Sequence, residues 1–198
     1  PIPDYQTVML PLLKITADQR EHKIGDLVEE LAVFFKLSGD ERKELLPSGQ
    51  TFVFGSRVGW ARTYLKKAGL LDSQKRATVT ITNRGLSLLK QNPPRIDVKL
   101  LRQFPEFLEF QNTKKDLDEE TSVATEPGNS QTPEEILENA YQSIRKSLAL
   151  ELRKKIIEQP PVFFEKLVVE LLVKMGYGGS IKDAGRATRL TNDEGIDG

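Results

Sequence analysis

The stretch Ser56-Arg57-Val58-Gly59-Trp60-Ala61-Arg62-Thr63-Tyr64-Leu65-Lys66-Lys67-Ala68-Gly69-Leu70-Leu71-Asp72-Ser73-Gln74-Lys75-Arg76-Ala77-Thr78-Val79-Thr80-Ile81-Thr82 decides the fold of the N-terminal half. From about Ser56 to Ala68 it reads as a helix. Val58, Ala61, Leu65 and Ala68 form one apolar line, with Trp60 and Tyr64 beside it. Arg62, Lys66 and Lys67 project from the other side. Gly69 stands at the C-cap, where a left-handed residue ends a helix most cheaply if it is glycine. The polar turn Ser73-Gln74-Lys75-Arg76 between Leu70-Leu71 and the β-rich run Ala77 to Thr82 predicts two short strands around a basic tip.

Upstream, Ile24, Leu27, Val28, Leu31 and Phe35 recur at helical spacing. Ser38-Gly39-Asp40-Glu41 has the form of a capping box, so a short helix through Leu45-Leu46 is expected, ending near Pro47. Gln50 to Phe54 alternates weakly and suits an extended segment. Downstream, Thr82 or Asn83 caps a last helix, Arg84 to Gln91, which Pro93-Pro94 closes. Helices, then a helix with a basic face, then a two-stranded wing: this is the order of a winged-helix domain, expected over residues 1–95.

The formal net charge of zero conceals a segregation. Residues 45–96 hold nine Lys/Arg against the single acid Asp72, a net of +8; residues 97–140 hold four against eleven acids, a net of −7. A basic block followed by an acidic one suits a polyanion-binding module joined to a solvated linker. The basic helix fits the DNA major groove and the wing tip reaches the adjacent backbone, which makes Arg57, Arg62, Lys66, Lys67, Lys75 and Arg76 the candidate DNA-binding residues. Two readings compete with this one: chance clustering on a solvated surface, and a winged helix that docks protein. Trp60 and Tyr64 read as core anchors rather than base-stacking residues.

Composition narrows the chemistry. The chain has no cysteine, which removes disulfides, thiolate zinc sites and cysteine nucleophiles and fits a cytoplasmic protein. The lone His22 cannot build a histidine-rich metal site and reads as a solvated residue. No apolar run approaches the roughly 18 residues that span a bilayer, so no membrane partner is expected. The N-terminus lacks the basic and apolar regions of a signal peptide. Catalysis would have to use carboxylates, lysines, hydroxyls or a hard metal ion.

Residues 96–132 read as an acidic flexible linker, most clearly at 111–132. Just before that, Leu100-Leu101, Phe104, Phe107-Leu108 and Phe110 suit a strap packed back on the first domain. Thr132-Pro133-Glu134-Glu135 then starts a helix strongly, and Ile136, Ala140, Ile144, Leu148, Leu152 and Ile156 recur every fourth residue to about Glu158. Arg145, Lys146, Arg153, Lys154 and Lys155 on this helix form either a solvated face or a second DNA-facing surface. After Pro160-Pro161, Phe163, Phe164, Leu167, Val168, Leu171, Leu172 and Met175 make a helix apolar on most of its circumference, which calls for a covering sheet. Burying one Phe or Leu is worth roughly 1.5–3 kcal/mol, so without such cover the chain is expected to aggregate or to repack this helix. Tyr177-Gly178-Gly179 leads toward Asp193-Glu194-Gly195-Ile196-Asp197-Gly198, a turn with two closely spaced carboxylates.

Two stretches together resemble the Mrr family of restriction endonucleases. Residues 48–86, most recognisably Arg57-Val58-Gly59-Trp60-Ala61 and Lys66-Lys67-Ala68-Gly69-Leu70, resemble that family's N-terminal winged helix. Residues 164–198 resemble the start of its PD-(D/E)xK-type catalytic domain. The resemblance implies a mainly α fold with small β content: a winged helix, then at 133–198 the first helices and turn of an α/β restriction-endonuclease-like domain. It implies restriction of methylated double-stranded DNA by Mg²⁺-dependent phosphodiester hydrolysis, with Asp197 on the metal-binding aspartate and Glu165 and Asp193 as supporting acids. Carboxylate oxygens suit hard Mg²⁺, which polarises a phosphoryl oxygen and activates water. The family places a Glu/Gln-x-Lys strand after this turn, and residues 1–198 do not include it, so the expectation is a chain that binds duplex DNA without cutting it. Residues 187–192 also depart from a Gly-richer approach to the turn. A DNA-binding remnant or regulator without hydrolytic activity is the alternative, and the sequence leaves a homo-oligomer open.

Overall fold

The computed structural model describes residues 1–116 and 130–177. The chain divides into two compact units, Pro1–Ala140 and Tyr141–Gly198. Among the described residues it is mainly helical, with one small antiparallel sheet.

The first unit opens with α1, Tyr5–Ile15, whose start is set by Asp4: its carboxylate accepts from the Gln6 and Thr7 amides at 2.9 and 3.0 Å. Burial alone would raise the Asp4 carboxyl's pKa, but hydrogen bonds from Thr7 and Gln6, with the Arg95 charge, hold it below its ordinary value. Sequence reading assigns no helix here, yet α1 buries Tyr5, Val8, Met9, Leu12 and Leu13. Strand β1 (His22–Lys23) leads into α2 (Ile24–Phe34). The expected capping box at Ser38 is present and starts α3, Gly39–Lys43. That helix stops before Leu45-Leu46. Leu45 instead makes a β-bridge to Phe52, because the chain must turn at Pro47-Ser48-Gly49 to enter α4, Val53–Lys67. α4 thus begins three residues before the expected Ser56, inside the segment expected to be extended.

Strands β2 (Leu71–Asp72) and β3 (Thr78–Ile81) flank the basic turn as the sequence predicts. β3 is central, with His22 opposite Val79 on one side and Leu71 opposite Ile81 on the other. α5, Asn83–Lys90, is capped by the Thr82 hydroxyl, which accepts from the Gly85 amide at 3.1 Å. Gly85 lies so close to its neighbours that a Cβ there would overlap the Leu70 carbonyl oxygen and stand 2.7 Å from Ile81 Cγ1.

Residues 96–116, read from charge as linker, form α6 (Val98–Leu101) and α7 (Pro105–Asp116). Ile96, Val98, Leu101 and Phe107 are fully buried in the core, and Leu100, Phe104 and Phe110 pack against it. Leu108 is exposed. The acids that made the segment look solvated stand beside apolar residues that face inward. Tyr64 of α4 is the hub, with edge-on ring contacts to Tyr5, Trp60, Phe107 and Phe110 at 5.4–6.2 Å. Gln6 accepts from the Val98 amide at 3.0 Å and ties this strap to α1. Residues 117–129 of the expected linker lie outside the described residues.

α8 spans Pro133–Ile157, and its first turns, to Ala140, belong to the first unit. The second unit contributes α9, Pro161–Lys174, in which no residue is buried. No described helix is long and apolar enough to cross a membrane.

Candidate nucleic-acid interface

α4 presents its buried stripe, Val58, Ala61 and Leu65, to the core. Its outward stripe runs Gly55, Gly59, Arg62 and Lys66, residues spaced to lie on one side of a helix. An added Cβ at Gly59 would meet nothing within 4 Å, so nothing inside the fold calls for a glycine there. A helix-interior glycine costs about 1 kcal/mol relative to alanine. The helix ends as read: Gly69 has φ +70°, and the Gly69 and Leu70 amides return to Lys66 and Leu65 carbonyls at 2.9 Å. Arg84 closes the same end, donating to the Ala68 carbonyl at 3.1 Å and to Glu106 of α7 at 2.9 Å. That pair lowers the Glu106 pKa and raises that of Arg84.

Lys66 and Lys67 are exposed and line an open groove of about 500 Å³ with Glu106, Glu109 and Phe110. Lys67 Nζ sits 5.0 Å from the centre of the Phe110 ring. Arg62 is half-buried on the outward stripe. At the strand turn, Arg76 is exposed. Lys75 donates to Glu21 at 2.8 Å, and the Thr78 hydroxyl donates to the other Glu21 oxygen at 2.9 Å. Both bonds depress the Glu21 pKa, and Glu21 raises that of Lys75. Ala77, in the left-handed region at φ +61°, shapes the tip, and its carbonyl accepts from the Ile24 amide at 3.0 Å. His22 pairs with Asp18 at 2.7 Å.

Arg57 differs from the other expected contacts. Its guanidinium donates to the Ile2 and Pro3 carbonyls at 2.8 and 3.2 Å and to Glu135 of α8 at 3.0 and 2.7 Å. The side chains of this pair are only 18% and 8% exposed, which makes it a structural junction. The reason is angular: Arg57 and Lys66 are nine residues apart, which on a helix is about 180° of rotation. Around it, Thr132 and Glu135 cap α8 reciprocally at 3.1 and 2.6 Å. Glu138 accepts from the Ser48 amide and hydroxyl at 2.8 and 2.7 Å, and Glu134 accepts from the Ser56 hydroxyl. Sequence reading did not single out Ser48, Ser56, Glu134 or Glu138 as a group, because no local pattern pairs residues some 80–90 positions apart.

Of the three expected catalytic acids, only Glu165 is described. Its Oε2 is buried with no hydrogen-bond partner among the described residues. Asp193 and Asp197 lie outside them. Among the described residues no group of three or more His, Asp or Glu is placed to hold a metal ion.

Comparison with known proteins adds a family to this geometry. Residues 5–91 match the Mrr N-terminal domain. The chain is also 28% identical over 211 aligned residues to the type IV methyl-directed restriction enzyme EcoKMrr of Escherichia coli (strain K12). The chain is thus similar to the Mrr family, through its N-terminal domain and, at lower identity, along its whole length. The alignment with EcoKMrr covers all of this chain but 66% of the Mrr enzyme's length. The domain match ends at residue 91, within one residue of the end of α5. No solved structure matches the chain. The Mrr relationship therefore rests on sequence, and the described geometry stands beside it independently.

Proposed function

We propose that this chain is the DNA-binding part, with the beginning of the catalytic part, of a restriction endonuclease directed at modified, chiefly methylated, DNA. The observation that carries the reading is the whole-chain similarity to a methyl-directed restriction enzyme. Its domain match ends on the same helix that closes the sheet after α4. In this reading the domains are 1–95, to whose core the α6–α7 strap adds, and 133–198. Residues 1–95 are a winged helix: α1, β1, α2 and α3 lead to a recognition helix α4, and β2–β3 is the wing.

Arg62, Lys66, Lys67, Lys75 and Arg76 contact the duplex, and Arg57 holds α8 instead. The bare Gly55–Gly59 stripe lets the α4 backbone approach the bases closely. Asp197 would hold Mg²⁺, with Glu165 and Asp193 as supporting acids. The Glu165 oxygen that is buried without a partner among the described residues fits a hard-cation environment. The ion supplies Lewis-acid polarisation of the phosphoryl group and an activated water.

Fluorescence anisotropy with a labelled duplex across a salt series tests the DNA reading. Arg62→Ala with Lys66→Ala should weaken binding and make the log–log salt slope shallower by roughly 2, about one unit for each phosphate no longer neutralised. An unchanged slope removes α4 from the interface. Gly59→Ala should bind DNA more weakly while gaining about 1 kcal/mol of stability. For the nuclease part, residues 1–198 alone should not nick plasmid, whereas a protein that also carries the Glu/Gln-x-Lys strand should nick methylated plasmid with Mg²⁺ and lose that activity in Asp197→Asn.

A further inference from the structure

We propose that the first turns of α8 form a releasable acidic clamp over the DNA-reading end of α4, with Glu134 and Glu138 taking the donors that duplex phosphates would use. This rests on the DNA-binding reading above and adds its regulation.

The geometry is specific. α4 starts without a cap of its own: Phe52 offers no side-chain acceptor, and the first turn holds no acid. The donors at this end are the Ser48 amide and hydroxyl in the turn before α4, and the Ser56 hydroxyl one turn into it. All three point at carboxylates of a segment 78 to 90 residues away in sequence. The turn before a recognition helix and the N-terminal residues of that helix are where helix-turn-helix readers meet DNA. Hydroxyls and amides there, at the positive end of the helix dipole, are phosphate ligands by chemistry. A glutamate carboxylate satisfies the same donors as a phosphate and repels the duplex.

The contact also divides into two parts by burial. Glu135 with Arg57 is a sheltered anchor that holds α8 in place. Glu134 and Glu138 lie on the partly open side of the same helical turns, where a polyanion could displace them. Displacement exchanges carboxylate–hydroxyl bonds for phosphate–hydroxyl bonds and removes two like charges from the interface. DNA and the clamp are therefore mutually exclusive ligands of Ser48 and Ser56, and each weakens the other by the same factor.

The full chain, a short labelled duplex and one fixed salt concentration test this. Glu134→Ala with Glu138→Ala should bind about tenfold more tightly than wild type, a typical coupling between exclusive ligands. Glu151→Ala with Glu158→Ala, which removes the same charge from exposed positions further along α8, controls for general electrostatics and should stay near the wild-type affinity. In the released background, Ser48→Ala with Ser56→Ala should weaken binding again. Hydrogen exchange on the wild-type chain supplies a readout free of mutations: saturating duplex should accelerate exchange at residues 136–140, where α8 is held.

A clamp variant that binds no more tightly than the control, or α8 amides that DNA slows, overturns the clamp and leaves the DNA-binding reading standing. If neither wild type nor any variant binds duplex DNA, the DNA-binding reading fails and takes the clamp with it.

Discussion

Tyr64 and Phe164 are both large aromatic residues on the apolar stripe of a helix, yet the first is 2% exposed and the second 55%. The same contrast holds between the two units. In the first, α1, α2, α4, the sheet and the α6–α7 strap close a single core. In the second, Ile144, Leu148, Leu152, Phe163, Leu171, Leu172 and Met175 all stand exposed at regular helical spacing. Periodicity announces which face a helix means to bury, and it is equally clear in both units. It does not say against what. In the first unit the answer comes from residues far apart in sequence, as when Tyr64 meets Tyr5 and Phe107.

The largest effect that would sharpen this contrast is a pair of truncations measured by urea unfolding. Phe107→Ala should cost about 3–5 kcal/mol, because it opens a cavity at a fully buried site. Leu171→Ala should change stability by about 0.5 kcal/mol or less, as expected for an exposed position. Equal costs would mean that α9 is covered in solution, and a concentration-dependent midpoint would identify a second copy as the cover.

Next comes Arg57→Ala, which leaves Glu135 buried without its cation and should cost roughly 3 kcal/mol. Adding Glu135→Ala should cost less than the two single losses combined. Strict additivity would show that the junction is not formed in solution.

The two units also share a helix ending, which allows a matched comparison. Gly69 after α4 and Gly176 after α9 both have positive φ, but a Cβ at Gly69 would meet Arg84 at 2.7 Å while one at Gly176 would meet nothing. Gly69→Ala should therefore cost about 2 kcal/mol and Gly176→Ala about 1, mostly from the left-handed backbone. Thermal unfolding followed by circular dichroism reads both. Identical losses would mean that Arg84 swings aside freely.

The smallest effect concerns pH. The Asp4 pKa is lowered in the folded chain, so its cap contributes fully above the ordinary aspartate value of 3.8 and is lost as pH falls through the lower folded value. The stability difference between wild type and Asp4→Asn should hold steady near neutrality and shrink on acidification below about pH 4. A difference that grows with acid would place the Asp4 pKa on the wrong side.

Much of the first unit was readable from local chemistry. The Ser38 capping box, the Thr82 cap, the Gly69 ending and the two strands around Lys75-Arg76 each follow from a few adjacent residues. α1 was not read as a helix, because Pro11 interrupts its pattern and its cap, Asp4, lies almost at the chain's start. The strap was legible from its row of Phe and Leu, and it packs on the first unit as expected; the acids between them hid that the segment is helical and part of the core rather than of the linker. Of the candidate site, Arg62, Lys66, Lys67 and Arg76 came from helical spacing and turn composition. Arg57 needed the third dimension, since its partners at Ile2, Pro3 and Glu135 are unrelated to it in sequence.

The strap has a consequence for synthesis. A ribosome delivers the N-terminus first, and domains generally fold as units while the chain emerges. The slot beside Tyr64 that Phe107 and Phe110 fill stays open until those residues leave the exit tunnel. By then α1 to α5 and all of the proposed DNA-reading surface have already emerged. The nascent chain thus passes through an interval in which its reading surface is outside the tunnel while its core is still unsealed, and holding that intermediate free of other contacts falls to the cell.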